Sequence, residues 1–175
     1  NGPLSAGAGN HNLTVGGDWT NTGGTYVGGT GTVIFAGNGA QSMSGQPTAF
    51  PGVVITGNGS NNAVTMVSNN SCTSLVLDNL NKTISFTHSG ASALTVNGNV
   101  TIQQASGGGV AHAWNINAGS ATVTGNLAMN VTANNAGRVA RVLLTTGTLT
   151  VQGNLTMTNA FLAANSVISM SGGAG

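Results

Sequence analysis

Charge is what this chain most lacks. Its 175 residues include two acidic and three basic side chains: Asp18, Asp78, Lys82, Arg138 and Arg141. An ordinary soluble domain is about one quarter charged. Without clustered Lys and Arg there is no electrostatic footprint for nucleic acid. The one close basic pair, Arg138 and Arg141, reads as a solvated strand edge or turn. A polysaccharide hydrolase or lyase needs at least a carboxylate pair and usually basic partners, and the chain's two carboxylates, Asp18 and Asp78, read as turn residues instead. Cysteine is almost absent too. Cys72 stands alone, which excludes an intrachain disulfide and a structural zinc site. It reads as a small buried thiol, with a crosslink between subunits as the sharper alternative. His11, His88 and His112 have no metal-ligand spacing and read as polar surface or turn residues. Gly107-Gly108-Gly109 is followed by neither helix nor lysine, so it is no phosphate cradle. No apolar run approaches the roughly 18 residues of a membrane helix. These absences lead us to expect a non-enzyme with no catalytic residue, metal or cofactor, no nucleic-acid partner and no membrane insertion.

What is present is a repeat. Leu94-Thr95-Val96-Asn97-Gly98-Asn99-Val100-Thr101-Ile102 returns, slightly altered, at Ala121 to Met129 and again at Leu149 to Met157. Gly98 to Gly125 is a step of 27, and Gly125 to Gly153 a step of 28. A fixed period in this range is the signature of stacked supersecondary units. A further copy, Leu13-Thr14-Val15-Gly16-Gly17-Asp18-Trp19, places Gly17 81 residues before Gly98, three steps of 27. Counting forward from Gly17 falls on Ser44 and Ser71 rather than glycine. Either the middle coils are irregular or that phase is coincidental.

Elsewhere, short β-branched runs such as Val33-Ile34-Phe35, Val53-Val54-Ile55 and Leu75-Val76-Leu77 alternate with turn residues, which predicts an all-β domain. The 29 glycines and the many Asn, Thr and Ser residues oppose helix. Within the motif Leu94, Val96, Val100 and Ile102 share one face, with Thr95 and Thr101 on the other. In the turn, glycine supplies a positive φ and asparagine bonds the backbone locally. A hairpin would pair Val96 with Val100 and give a hairpin-rich β-sandwich. A corner would send the second strand onto the next face of a parallel β-solenoid with coils of about 27–28 residues, and the period favours it. Stacked corners would then align Gly98, Gly125 and Gly153 with Gly17, and Asn99, Asn126 and Asn154 with Asp18. Asn ladders of this kind bond along the stack. Residues 1–10 read as a flexible arm, and 11–175 as one solenoid domain.

The stretch from His11 to Asn21, continued by Gly29 to Gln41, together with the three later motif copies, resembles the repeats of large secreted bacterial surface proteins. Filamentous-haemagglutinin-like adhesins and autotransporter passenger domains are built in this style. The resemblance implies an extracellular or cell-surface role, structural or adhesive, and the absence of an initiating Met fits a mature form or a segment of a longer protein. Low charge removes the repulsion that keeps proteins apart. Val167, Ile168 and Met170 form an apolar C-terminal stretch, and with Leu4 they are the expected subunit contacts. The expectation is a homopolymer: a filament, surface appendage or biofilm matrix built by head-to-tail stacking. The alternatives are an adhesin stalk on a host or neutral polysaccharide surface, and an ice-binding protein using Thr-x-Thr pairs such as Thr122/Thr124 and Thr148/Thr150.

Overall fold

A computed structural model describes residues 2–7, 9–79, 81–104, 111–131, 139–159 and 165–170. Its strands in chain order are β1 (Leu4–Ser5), β2 (Leu13–Val15), β3 (Trp19–Asn21), β4 (Tyr26–Val27), β5 (Thr32–Phe35), β6 (Ala40–Gly45), β7 (Thr48–Ile55), β8 (Asn62–Met66), β9 (Asn70–Asp78) and β10 (Ile84–His88). They continue with β11 (Ala93–Val96), β12 (Val100–Gln104), β13 (Ala111–Asn117), β14 (Ser120–Val123), β15 (Leu127–Val131), β16 (Val139–Leu144), β17 (Thr148–Val151), β18 (Leu155–Asn159) and β19 (Asn165–Met170).

The strand pairings are parallel, and each strand bonds to its counterpart one coil away. The chain is a three-faced parallel β-solenoid of about six turns. Face one carries the first halves of β7 and β9, then β11, β14 and β17. Face two carries β2, β5, the second halves of β7 and β9, then β12, β15 and β18. Face three is the seven-stranded sheet from β3 to β19. β1 and β4 form a separate ladder within the first coils, so part of the expected arm is already strand. Strands β11 and β12 both pair with β9 rather than with each other, which selects the corner over the hairpin.

Period-two alternation puts aliphatics inside every coil. Val100, Leu127, Ile102 and Met129 are fully buried in face two, as are Val96 and Val123 in face one. The early coils are filled by aromatics instead: Trp19 meets Tyr26 and Phe50 edge-on, with centroids 5.3 and 5.2 Å apart, a favoured geometry for ring quadrupoles.

The coils are not of one size. Residues aligned on face two run Leu13, Val33, Val53, Leu75, Val100, Leu127 and Leu155. Successive steps in numbering are therefore 20, 20, 22, 25, 27 and 28, and the expected period holds only for the last coils. The N-terminal copy of the motif is out of phase. Leu13–Val15 lies on face two, whereas Leu94–Val96 lies on face one. Four coils, not three, separate Leu13 from Val100. The two motifs look alike because any half-buried strand before a corner shows the same alternation; their spacing of 81 residues corresponds to no whole number of coils between equivalent positions.

Candidate functional site

The corners carry the repeating chemistry of this fold. Asn99 stands immediately before β12, and its Oδ1 accepts the backbone N–H of Asn126 one coil later at 2.8 Å. Asn126 does the same for Asn154 at 2.8 Å. The same device recurs at other corners. Oδ1 of Asn12 takes the N–H of Thr32 at 2.9 Å, Asp18 that of Ser42 at 2.7 Å, Asn61 that of Thr83 at 2.9 Å and Asn69 that of Ala93 at 2.8 Å. In each, the side chain precedes a strand and the donor sits one coil toward the C-terminus. The backbone N–H groups at these corners thus find side-chain partners that are neutral amides in every case but Asp18. The expected amide-to-amide ladder is in these bonds an amide-to-backbone one.

Glycine serves these corners by its size. None of Gly98, Gly125 and Gly153 has a positive φ, so the conformational reason expected for them does not apply. A Cβ on Gly153 would come within 2.7 Å of Asn126 Oδ1 and 2.5 Å of the Gly125 carbonyl oxygen. On Gly125 it would strike Asn99 Oδ1 and lie 2.7 Å from the Gly98 carbonyl oxygen. The corners stack backbone on backbone, with Gly125 N–H donating to Gly98 at 2.9 Å and Gly153 to Gly125 at 3.1 Å. Gly17 faces open space, as its different corner requires.

Two of the three histidines are core residues, contrary to the surface role expected of them. His88 and His112 are 1 % and 0 % exposed. Each occupies an inward position in its strand, His88 after Ile84 and Phe86, and His112 before Trp114 and Ile116. Trp114 can only donate, so its Nε1–H fixes His88 Nε2 as the acceptor at 3.0 Å. His88 Nδ1 then carries the proton and donates to the Ser92 carbonyl at 3.2 Å. Burial pushes the His88 pKa down to about 4, against the smaller opposing effect of Ser92. His112 lies between two carbonyls, Gln103 at 2.7 Å from Nδ1 and Lys82 at 3.1 Å from Nε2. Its pKa is lowered by burial, partly offset by these carbonyls and by Asp78. Cys72 is buried at 2 % exposure, and its thiol is pushed up to about 12 by desolvation. It cannot reach a neighbouring subunit, and the crosslink alternative falls.

The carboxylates lie far apart along the chain's coils: Asp18 before β3 in the first coil, Asp78 closing β9 in register with Gln103. Asp78 therefore ends a strand and is not the turn residue expected. Arg141 lies half-buried on β16, while Arg138 lies outside the described residues. Among the described residues no group of three or more His, Cys, Asp and Glu is close enough to hold a metal.

The two end coils differ from the rest. Among the described residues, strands β17, β18 and β19 each pair on one side only, as do β1, β2 and β3 at the other end. Leu155 and Met157 continue the buried columns of Leu127 and Met129, yet are 48 % and 43 % exposed. At the other end Leu4 is 55 % exposed and lines a cleft of about 470 Å³ with Trp19, Asn21 and Tyr26. Of the other expected contacts, Val167, Ile168 and Met170 pair through their backbones with Arg141, Val142 and Leu144; their side chains lie outside the described residues.

The outward surface also has order. Thr95, Thr122 and Thr150 are in register on face one, with Ala93, Ser120 and Thr148 beside them. The Thr-x-Thr pairs overlap rather than coincide, with Thr122 on Thr150 and Ser120 on Thr148. No known family, curated protein or solved structure matches the chain.

Proposed function

We propose that this protein is a non-enzymatic structural subunit that assembles head to tail into an extracellular filament, surface appendage or biofilm matrix. The observation that carries this reading is the pair of end coils. Among the described residues each presents three one-sided parallel strands, and the face-two columns buried at Leu127 and Met129 stand half-exposed at Leu155 and Met157. An exposed strand edge is a template for another strand, and a contact between two different surfaces of one molecule propagates rather than closes. The sparse charge gives little repulsion to oppose it. The two carboxylates, each committed to a different coil, support the non-enzymatic reading. Extracellular placement rests on the resemblance of the repeats to secreted surface proteins.

Negative-stain microscopy of the purified 175-residue chain over rising concentration tests this reading. Unbranched fibres are expected, and discrete monomers at every concentration would overturn it. A second reading is favoured by one specific observation, the Thr95–Thr122–Thr150 column with its Ser120 and Thr148 neighbours. A flat threonine array of this kind resembles those of ice-binding solenoids. Thermal hysteresis with faceted ice crystals would promote it, and its absence would remove it.

A further inference from the structure

We infer that successive subunits join in one fixed register, with Asn12 of one copy seated on Asn154 of the copy before it. This rests on the head-to-tail reading and adds to it a polarity, a register and a bond across the junction.

The column that begins at Asn12 runs through Thr32, Gly52, Ser74, Asn99 and Asn126 to Asn154. It starts and ends on asparagine. At its lower end Asn12 Oδ1 accepts from the coil above, and near its upper end Asn126 does the same. Asn154 is the same residue one step later, in the same place before its strand. The side-chain bonds of this column run one way, from a backbone N–H to the side-chain oxygen one coil nearer the N-terminus, as do three at other corners; the bond from Thr48 N–H to Asn70 Oδ1, at the entry to face one, runs the other way. Continued across a junction, that rule has Asn154 Oδ1 accept the N–H of Asn12.

The flanking columns agree. In this register the half-buried Leu13 and Val15 cover Leu155 and Met157, apolar on apolar. A one-residue slip would turn Thr14 into the core, since each slip exchanges the two faces of a strand. A two-residue slip keeps an apolar match but sets Asn154 opposite Thr14 or Asn10. Any backbone N–H can fill Asn154 Oδ1, as that of Thr32 fills Asn12 Oδ1; what chooses among registers that hydrophobic burial alone would accept is corner on corner, with Asn154 immediately before β18 and Asn12 immediately before β2.

Outward residues make the register measurable. Thr14, Ile34, Val54, Val76, Thr101, Ala128 and Thr156 are in register along face two. Within one molecule the ends of this column are six strand spacings apart, roughly 29 Å, far beyond the roughly 7 Å Cα separation a disulfide spans. In the inferred junction Thr14 and Thr156 become direct neighbours. A Thr14→Cys/Thr156→Cys chain, mildly oxidised, should give a ladder of covalent oligomers on non-reducing gels. Thr14→Cys/Thr158→Cys, displaced by two residues, should give none. Asn154→Ala should raise the concentration at which fibres appear about five-fold, the factor for one lost hydrogen bond of about 1 kcal/mol. Fibres together with crosslinking only in the Thr158 pair, or in neither pair, would overturn the register and leave the filament reading standing. No fibres from the unaltered chain would overturn the filament reading, and the register with it.

Discussion

The indole N–H of Trp114 donates to Nε2 of His88 at 3.0 Å, joining two neighbouring coils through a neutral imidazole sealed from water. An imidazolium would present a proton where Trp114 already presents one.

Stability should therefore depend on this ring. The His88 pKa is about 4 in the folded chain, against 6.5 for an ordinary histidine. Above pH 6.5 neither state is protonated and the histidine contributes no pH dependence. As pH falls from 6.5 to about 4, the unfolded chain takes up a proton that the folded chain refuses, and stability declines. The loss levels off below pH 4 at about 3 kcal/mol. Urea midpoints measured across this window should fall with pH, and His88→Gln should flatten much of the slope, leaving the smaller share of His112.

The corner glycines should separate sharply by position. Gly125→Ala forces a methyl group against Asn99 and the Gly98 carbonyl and should cost about 2–3 kcal/mol, the scale of overpacking. Gly16→Ala meets nothing within 4 Å and needs no positive φ. It should stay within about 0.5 kcal/mol of the parent. Thermal or urea denaturation of the two variants checks this contrast.

An oxygen at the corner should matter more than its charge. Asn99→Ala removes the acceptor of the Asn126 N–H and should cost about 1 kcal/mol. Asn99→Asp should be nearly silent at neutral pH, because Asp18 already fills the same role toward Ser42. Equality of the Ala and Asp variants in denaturant midpoint would refute the ladder's contribution.

Cys72 should be chemically quiet. A thiol buried in the core with its pKa pushed up to about 12 offers almost no thiolate at pH 8. A maleimide should label it only after denaturant is added, at a rate that follows unfolding.

The later coils are readable in the sequence because their corners are separate from their strands. Asn97-Gly98-Asn99 stands between β11 and β12, and its equivalents return twice. In the two preceding coils the same bend lies inside the continuous strands β7 and β9, where Pro51-Gly52 and Thr73-Ser74 take the place of the motif. Pro51-Gly52 spells a turn, but not the Asn-Gly-Asn form of the later corners, and Thr73-Ser74 spells none, so the repeat loses its phase in the middle of the chain. Leu13-Thr14-Val15-Gly16-Gly17 misleads in the opposite sense, since period-two alternation tells inside from outside but not one face of a coil from another. Residue type argues the histidines outward, although the alternation Ile84-x-Phe86-x-His88 and His112-x-Trp114-x-Ile116 already points them inward. The partners that make burial tolerable, Ser92, Gln103 and Lys82, come from the surrounding loops and strand ends, which pattern reading does not reach.

The lengthening of the coils leaves their rise unchanged. One turn carries the chain from Leu13 to Val33 at the N-terminal end, but from Leu127 to Leu155 at the C-terminal end. Each turn still adds one strand to the face-two ladder, so a coil of 20 residues and one of 28 climb by the same roughly 4.8 Å. In the proposed stack a subunit would therefore advance the fibre by its seven face-two layers, roughly 34 Å, whatever the lengths of its coils.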